Sequence, residues 1–306
     1  MKSPILIICY NRPKEFSKLI NLVKKMKQRK IFIFQDGLKG KNKNWLKQRN
    51  LITNLKKNKN YTVNISDKNL GCKYGVKSAI DWFFKINKQG IILEDDCLPS
   101  ISFFKYCDEL LNIYKKNQKI KIISGYNFLN IKNYKYSYFF TKHVEVWGWA
   151  TWKRVWKNFN FEKKNWIKDG QQVLNKRFKN NDELRKLYKS KFKLTFNNRI
   201  DTWDHQFVFF IWRSKGYTIS PKLNLIHNIG FNRSATHTKK RNKKLEIKSN
   251  KLKFPLKHPK IVKEDLNLTQ IMDTYLSKEI YKLNNRDNTL KNHVIKLIKK
   301  YKNLVS

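Results

Sequence analysis

One stretch, Gly90–Ser100, constrains the fold of this chain more than any other, because three apolar residues run directly into three acids. The apolar residues are Ile91–Leu93. They do not alternate with polar residues, which predicts a strand buried on both faces of a parallel sheet. Glu94, Asp95 and Asp96 then mark the carboxyl end of that strand. Ligands of open α/β sheets bind at such ends, so the stretch predicts an α/β fold with a site at this edge.

The three acids themselves indicate a metal site. Adjacent carboxylates repel one another and are costly to remove from water without a cation. Hard oxygen ligands at a strand end suit Mn²⁺ or Mg²⁺, with a substrate phosphate completing the coordination shell. The alternative is a solvated acidic turn after a strand. The chain has only 22 acidic residues against 68 basic ones, and this scarcity favours a function for three acids in a row.

The segments before this strand alternate between the strand and helix types. Strands are predicted at Pro4–Cys9, Ile31–Phe34 and Tyr61–Ser66, and helices at 13–27, 45–56 and 76–86. This order predicts a doubly wound, mostly parallel sheet flanked by helices, in the Rossmann-like manner of nucleotide-binding proteins. Later segments are predicted as a helix at 102–116, polar helices with little core over 163–193, a helix at 202–214, and a loop over 228–253.

The charge of the 306-residue chain is strongly basic, with a net value of +46. Lysine far outnumbers arginine, which is typical of an AT-rich genome and argues against specific nucleic-acid binding. The segment Thr289–Leu304 combines one apolar helical face with many lysines. Such a helix suits the surface of an anionic membrane, and packing on the main domain is the alternative. We therefore predict residues 257–306 to be a basic, helical C-terminal extension.

The cysteines and the apolar runs bear on the compartment. Cys9, Cys72, Cys97 and Cys107 have neither zinc-site nor disulfide-framework spacing, which is typical of reduced thiols. No apolar run reaches the length of a signal peptide or a membrane span. These features predict a cytoplasmic protein, with peripheral attachment to the inner face of the plasma membrane as a further expectation.

Several residues at other strand ends have side chains that suit a nucleotide. Arg12 follows the first strand and can pair with a diphosphate. Asp36 follows the second strand and can accept a hydrogen bond from a base or a ribose. The alternatives are a solvated arginine and a turn aspartate before Gly37. Lys73 precedes the third helix and can contact phosphate or sugar, or simply lie in a helix-capping loop.

The second half offers aromatic and acidic candidates. Trp147, Trp149 and Trp152 can stack on sugar rings, with Gly148 allowing close backbone approach, although tryptophans are more often core residues. Asp204 and Asp201 lie beside Trp203, where one of them can cap a helix and the other can act as a base. His227 and His237 are weaker candidates for metal or phosphate contact.

Taken in order, six segments resemble those of bacterial GT-A-fold glycosyltransferases. They are CYNRP, FQDG, LGCKYGVKSAIDWFF, IILEDDCLPSISFF, WGWATW and DTWDHQ, and the resemblance covers about Pro4 to His237. The first half is similar to the N-acetylglucosaminyltransferase I group, whose metal motif is also EDD. The resemblance implies a GT-A-like domain over 1–256, with a nucleotide-sugar-binding half at 1–125 and an acceptor half at 126–256.

The resemblance also implies roles for individual residues. It implies inverting transfer from a UDP-sugar, such as UDP-GlcNAc, to a hydroxyl of a cell-surface glycan or a glycolipid, with Mn²⁺ or Mg²⁺. The residues that match donor-contacting positions are Cys9, Asn11, Arg12, Asp36, Lys73, Glu94, Asp95, Trp147, Gly148 and Trp149. Asp96 matches the metal ligand, and Asp204, or else Asp201, matches the base. Ser234 stands where related sequences carry an acid.

Two other functions fit parts of the same pattern. A sugar-phosphate nucleotidyltransferase shares the sheet and the acids, but it would carry a glycine-rich loop after the first strand, and CYNRPKEF has no glycine. A non-enzymatic basic protein that binds nucleic acid or membrane would explain the charge and leave the acids unused.

Overall fold

A computed structural model of the protein describes residues 2–26, 28–230 and 247–284, and it confirms the predicted α/β fold. The strands are β1 (Ile5–Cys9), β2 (Ile31–Gln35), β3 (Tyr61–Ile65), β4 (Gln89–Glu94), β5 (Cys97–Pro99), β6 (Ile120–Ser124), β7 (Tyr138–Thr141), β8 (Trp149–Trp152), β9 (Tyr217–Pro221) and β10 (Ile226–Asn228). The helices are α1 (Pro13–Lys24), α2 (Lys43–Leu55), α3 (Gly71–Ile86), α4 (Ile101–Ile113), α5 (Lys153–Trp156), α6 (Lys163–Arg177), α7 (Asp182–Phe196), α8 (Asp204–Arg213) and α9 (Leu266–Asn284).

The central sheet has eight strands in the order β3-β2-β1-β4-β8-β6-β9-β7. The first four are parallel to one another, whereas β8 runs antiparallel to both of its neighbours and β7 runs antiparallel to β9. Strand β2 lies beside β1, and β3 lies beside β2 at the edge of the sheet. The chain then crosses back, and β4 pairs with the other side of β1. The crevice between β1 and β4 is therefore the point where the strand order reverses, which is the usual ligand position in such sheets.

Helices cover both faces of the sheet because successive strand residues point to opposite sides. In β1, Ile5 and Ile7 face a core that includes Phe16 of α1. Leu6 and Ile8 face a second core on the other side, formed with α3 and the helices α5 to α8. Burial on both faces explains why the strands of the first half have continuous apolar runs.

The structure departs from the sequence-based expectation in two places. Residues 97–99 form strand β5, which pairs with β10 in a separate two-stranded ribbon beside the acids. Helices α6 and α7 were expected to contribute little to a core, and this is wrong. Leu174, Leu184 and Phe192 are fully buried, because these helices pack against α8.

The beginning of the predicted C-terminal extension packs on the second half of the sheet. Leu268 and Met272 of α9 are buried with Phe139 in a third apolar cluster. Asp273 accepts hydrogen bonds from both terminal nitrogens of Arg177, each at 2.8 Å. The domain boundary at 256 stays a prediction, and the helix predicted at Thr289–Leu304 lies outside the described residues. In the described part of the chain, no helix has the length and apolar character needed to cross a membrane.

Candidate active site at the carboxyl edge of the sheet

The centre of the candidate site is an ion cluster at the β1/β4 crevice. Arg12 follows β1, and its Nη1 donates to Asp95 Oδ1 at 3.2 Å and also to Asp96 Oδ2. The Asp95 carboxylate further accepts the backbone N–H of Tyr10 at 3.4 Å. Because β1 and β4 are parallel neighbours, their carboxyl ends bring Arg12 and the two acids to one place. We call Arg12, Glu94, Asp95 and Asp96 the acid cluster.

Burial and mutual repulsion make the ionised forms of Glu94 and Asp95 less favourable. Burial raises the pKa of Glu94, repulsion from Asp96 raises it further, and Arg12 opposes both effects. Burial likewise raises the pKa of Asp95, where Arg12 is the main opposing group. The nearby carboxylates also hold the Arg12 guanidinium firmly in its charged form by raising its pKa against the effect of burial. An additional cation at this point would relieve the repulsion between the acids.

The donor atoms of the acid cluster fit a divalent cation, as predicted for Mn²⁺ or Mg²⁺. Asp95 and Asp96 offer hard carboxylate oxygens in largely buried positions, and Arg12 is the cation that neutralises them here. Among the described residues, no group of three or more His, Cys, Asp and Glu side chains is arranged to hold a metal by itself. A metal bound here would thus depend on oxygen atoms from a ligand such as a diphosphate.

The backbone after β10 closes one side of the acid cluster. The N–H of Ile229 donates to the carbonyl oxygen of Asp96 at 2.8 Å. At Gly230, an added Cβ would lie 2.2 Å from Asp96 Oδ2, so any other residue would force the Asp96 carboxylate to move. Gly230 was missed by the sequence analysis, because a single glycine after a short strand carries no signal of what it faces.

Asp36 lies at the end of β2, as predicted, but its carboxylate is occupied by protein donors. Its oxygens accept the backbone N–H groups of Gly37, Leu70 and Gly71 at 2.9–3.1 Å, and Asn69 Nδ2 at 3.1 Å. Burial raises its pKa, and these backbone donors oppose the rise. In this structure Asp36 therefore holds the loop that begins α3, and base recognition by Asp36 stays a prediction.

The second candidate base, Asp201, is also engaged by backbone donors at the start of α3. Its Oδ2 accepts the N–H of Cys72 and its Oδ1 accepts the N–H of Lys73, both at 2.9 Å. The ammonium of Lys73 donates to Asn198 Oδ1 at 2.7 Å and lies 4.7 Å from the ring centre of Phe161. Asp201 and Lys73 thus join α3 to the segment that leads into α8.

Asp204 is the first residue of α8 and has a less occupied carboxylate. Its Oδ1 accepts hydrogen bonds from Thr202 Oγ1 and from the N–H of His205. No donor in the described parts of the chain reaches its Oδ2. Its negative charge acts on Glu94 of the acid cluster, where it is one of the groups that raise the pKa. Asp204 is therefore close to the acid cluster and has one oxygen available to a ligand.

Several of the predicted donor-contacting residues lie in the core. Trp149 is only 1% exposed, because β8 turns it inward to stack on Trp203 at 5.7 Å, and Trp152 is buried as well. Cys9 is buried, with its thiol donating to the carbonyl oxygen of Phe34 at 3.4 Å. Gly148 has a φ of +64°, and its close neighbour is Ile226. In this conformation the side chains of Trp149, Trp152 and Cys9 leave almost no surface for a ligand. Ligand contact by these residues and by Gly148 stays a prediction.

The remaining predicted residues are distributed around the site. Asn11 is half-buried in the β1–α1 loop beside Arg12, and Trp147 is half-buried with its ring 4.7 Å from that of Tyr126. His227 lies within the β5–β10 ribbon, opposite Leu98. His237 and Ser234 lie outside the described residues.

Glu145 is a charged residue near the site that the sequence analysis missed. It is half-buried in the segment between β7 and β8. Burial raises its pKa to about 7, Lys191 opposes the rise, and Asp204 adds to it. The charge of Asp204 thus acts on two carboxyl groups, Glu94 in the first half of the chain and Glu145 in the second. A lone Glu before Val-Trp-Gly-Trp has no spacing that would have revealed this.

Comparisons with known proteins give little independent information. No known protein family matches the chain, and no curated protein matches it. Among solved structures, it is similar to mannosyltransferase PcManGT from Pyrobaculum calidifontis in complex with GDP-Man and Mn²⁺, at 9% identity and a TM-score of 0.36. The match covers 49% of this chain and 45% of the other. The chain thus spans less than half the length of that protein, and so low a score supports no argument about function.

Proposed function

We propose that this protein is a metal-dependent glycosyltransferase that uses a nucleotide-diphospho-sugar donor. The observation that carries the proposal is the acid cluster at the β1/β4 crevice, with Asp204 close to it from the second half of the chain. The acid cluster supplies the Arg12 guanidinium and carboxylates that suit a diphosphate with its metal. Asp204 supplies a carboxylate with an available oxygen. Transfer of a sugar to a hydroxyl requires both kinds of group.

The donor diphosphate would bind at the acid cluster. Arg12 turns from Asp95 and Asp96 to the phosphate oxygens, where a guanidinium forms paired hydrogen bonds. Asp96, assisted by Asp95, would hold Mn²⁺ or Mg²⁺, with phosphate oxygens of the donor as further ligands. The cation supplies positive charge that stabilises the departing nucleoside diphosphate. Glu94 and Asn11 would contact the ribose or the donor sugar.

Asp204 would act as the base. Its Oδ1 is held by Thr202 and His205, which fixes the orientation of the carboxylate. Its Oδ2 then takes the proton of the acceptor hydroxyl as the oxygen attacks the anomeric carbon. Attack opposite the leaving group inverts the configuration at that carbon. Asp201 has a positioning role in this proposal, because it ties the segment before Asp204 to α3.

The finer assignments follow from the resemblance noted in the sequence. We propose a UDP-sugar, such as UDP-GlcNAc, as the donor, and a hydroxyl of a cell-surface glycan or glycolipid as the acceptor. The excess of lysine supports the proposal that the protein acts at the cytoplasmic face of the membrane, where anionic lipids attract basic side chains.

A panel of nucleotide sugars tests this function. The full chain is incubated with UDP-, GDP- and dTDP-sugars and Mn²⁺, and release of the nucleoside diphosphate is measured with and without EDTA. We expect slow, metal-dependent release of one diphosphate, with water as the acceptor, and loss of that release in Asp96→Ala. Release of pyrophosphate from a nucleoside triphosphate and a sugar phosphate would instead identify a nucleotidyltransferase. No turnover and no nucleotide binding would overturn the proposal.

A further inference from the structure

Among the aromatic residues whose burial the structure describes, Tyr74 alone is exposed. It is 53% exposed, whereas the other described aromatic residues are buried or half-buried. Tyr74 lies in the first turn of α3, which begins at the carboxyl edge of the sheet. The next residue, Gly75, packs against the end of β2, because an added Cβ there would lie 3.3 Å from the Asp36 carboxylate. The exposed ring therefore lies at the edge that carries the candidate site.

The Tyr74 ring is held from one side. Its centre lies 5.7 Å from that of Phe161, in an edge-to-face arrangement, and 5.2 Å from Lys73 Nζ. Lys73 Nζ is in turn 4.7 Å from the Phe161 ring centre, so these two groups approach Tyr74 from the same side. The rest of the Tyr74 ring faces solvent. A ring that is fixed in this way can bind a ligand without losing much side-chain freedom.

Lys73 and Asn198 provide hydrogen-bond donors beside this ring. Lys73 is only 6% exposed and has three ammonium N–H groups, but in the described part of the chain only Asn198 Oδ1 accepts one of them, at 2.7 Å. Lys73 forms no ion pair with any described residue. A largely buried ammonium with so few acceptors is costly in free energy, and oxygen atoms of a ligand would lower that cost.

A cavity adjoins these donors. Asn198 lines it together with Leu194 and Asn197 at the end of α7, and its volume is about 670 Å³. Pockets that bind small ligands have volumes of roughly 300–1,000 Å³. The Asn198 side-chain amide donates to no described residue, so its N–H groups are available to a molecule in this cavity. The ring, the ammonium and the amide thus surround one space.

We propose that Tyr74 stacks on a sugar unit of the acceptor, and that Lys73 and Asn198 bind the hydroxyl groups of that unit. This inference rests on the proposed function, because it takes the bound saccharide to be the acceptor. A pyranose fits both features, since its faces carry C–H groups and its rim carries hydroxyl groups. Asp201 accepts the N–H of Lys73 at 2.9 Å, which keeps this surface beside the segment that leads to Asp204.

Binding of simple sugars to the full chain tests the inference. Saturation-transfer NMR is recorded with methyl glycosides of hexoses and N-acetylhexosamines and with their disaccharides, for the protein alone and with UDP and Mn²⁺. We expect at least one of them to bind, with the strongest transfer to the C–H protons of one sugar face. Tyr74→Ala should weaken this binding by roughly tenfold or more, and Tyr74→Phe should bind like the wild-type protein because it keeps the ring.

Two control variants match the residues that the test changes. Leu46→Ala removes an exposed apolar side chain of α2 that is 51% exposed, and it should leave sugar binding unchanged. Lys73→Met should weaken sugar binding because it removes the ammonium. Its control is Lys77→Met on the same helix, where Lys77 is paired with Asp81 at 2.6 Å.

The inference is overturned if no sugar binds under either condition, or if a folded Tyr74→Ala binds sugar normally. It is also overturned if Tyr74→Ala loses affinity for UDP and not for sugar, because Tyr74 would then stack on the nucleobase. Calorimetry with UDP and Mn²⁺ alone tests the proposed function separately, because it requires no acceptor.

Discussion

The Asp201 carboxylate accepts the backbone N–H of Lys73 at 2.9 Å, although 128 residues separate the two in the chain. The other Asp201 oxygen accepts the N–H of Cys72. The first N–H groups of a helix have no partner within the helix, and a carboxylate there is further stabilised by the helix dipole. Asp201 therefore caps α3 from across the fold, and it joins the first half of the chain to the segment that carries Asp204.

We first predict that Asp201→Ala lowers the free energy of unfolding by about 1–2 kcal/mol, because two N–H groups at the start of α3 lose their acceptor. Asp201→Asn should lose less, since its amide oxygen still accepts one of them. Urea-induced unfolding measures both. Asp67→Ala is the control, because Asp67 is an exposed acid of the loop before α3. Equal stability of Asp201→Ala and the wild-type protein would contradict the capping role.

We next predict that Asp204→Asn keeps its affinity for the donor nucleotide but loses turnover by about 10²–10⁴-fold. The amide oxygen still accepts hydrogen bonds from Thr202 and His205, so the start of α8 should stay intact. Calorimetry gives the affinity, and release of the nucleoside diphosphate gives the rate. Comparison with the Asp201 variants distinguishes the roles of the two acids. Asp201→Ala should reduce stability more, and Asp204→Asn should reduce turnover more. A small loss of turnover in Asp204→Asn would require another base.

A third prediction concerns Arg12 as the resident counter-charge of the acid cluster. Arg12→Gln leaves Asp95 and Asp96 without their cation and should reduce the free energy of unfolding by about 3–5 kcal/mol. Mn²⁺ should then raise the melting temperature of Arg12→Gln more than that of the wild-type protein, because the metal replaces the missing charge. Arg199→Gln, at an exposed arginine, is the control. If Mn²⁺ raises both melting temperatures equally, the acid cluster is not the metal site.

The first half of the fold was predictable from the sequence because each signal there is local. The run Ile31–Phe34 appears as strand Ile31–Gln35, and Pro4–Cys9 appears as Ile5–Cys9. A parallel strand buried on both faces needs an unbroken apolar run, so its limits can be read directly. The position of the acids at a strand end was predictable for the same reason, because the apolar run stops at Leu93 and β4 ends one residue later, at Glu94.

The second half was less predictable because its roles depend on distant partners. Asp201 was expected either as a base or as a cap, and the cap that it forms is on α3, which only the tertiary fold could decide. Trp149 was expected to face a sugar, but its position in the antiparallel strand β8 turns it toward Trp203. Glu145 was not predicted, because its pKa is influenced by the charges of Lys191 and Asp204, which lie on two other elements.

The last prediction concerns the attachment of α9 and its dependence on pH. Although burial alone would raise the pKa of Asp273, hydrogen bonds and charges from His143 and Arg177 lower it to about 2. A carboxyl group whose folded pKa lies below its unfolded value stabilises the protein above that unfolded value, near 3.8. The stabilisation is lost as the pH falls from about 4 toward 2, and it amounts to about 2 kcal/mol at neutral pH.

The measurement compares urea unfolding of the wild-type protein and Asp273→Asn at pH 5.5 and again near the lowest pH at which both remain folded. We expect Asp273→Asn to be less stable by about 2 kcal/mol at pH 5.5, with the difference shrinking as the pH falls below about 4. Asp169→Asn is the control, because Asp169 forms a more exposed pair with Arg213 and such pairs contribute little. A difference that stays constant between the two pH values would mean that Asp273 stabilises α9 through packing and not through its charge.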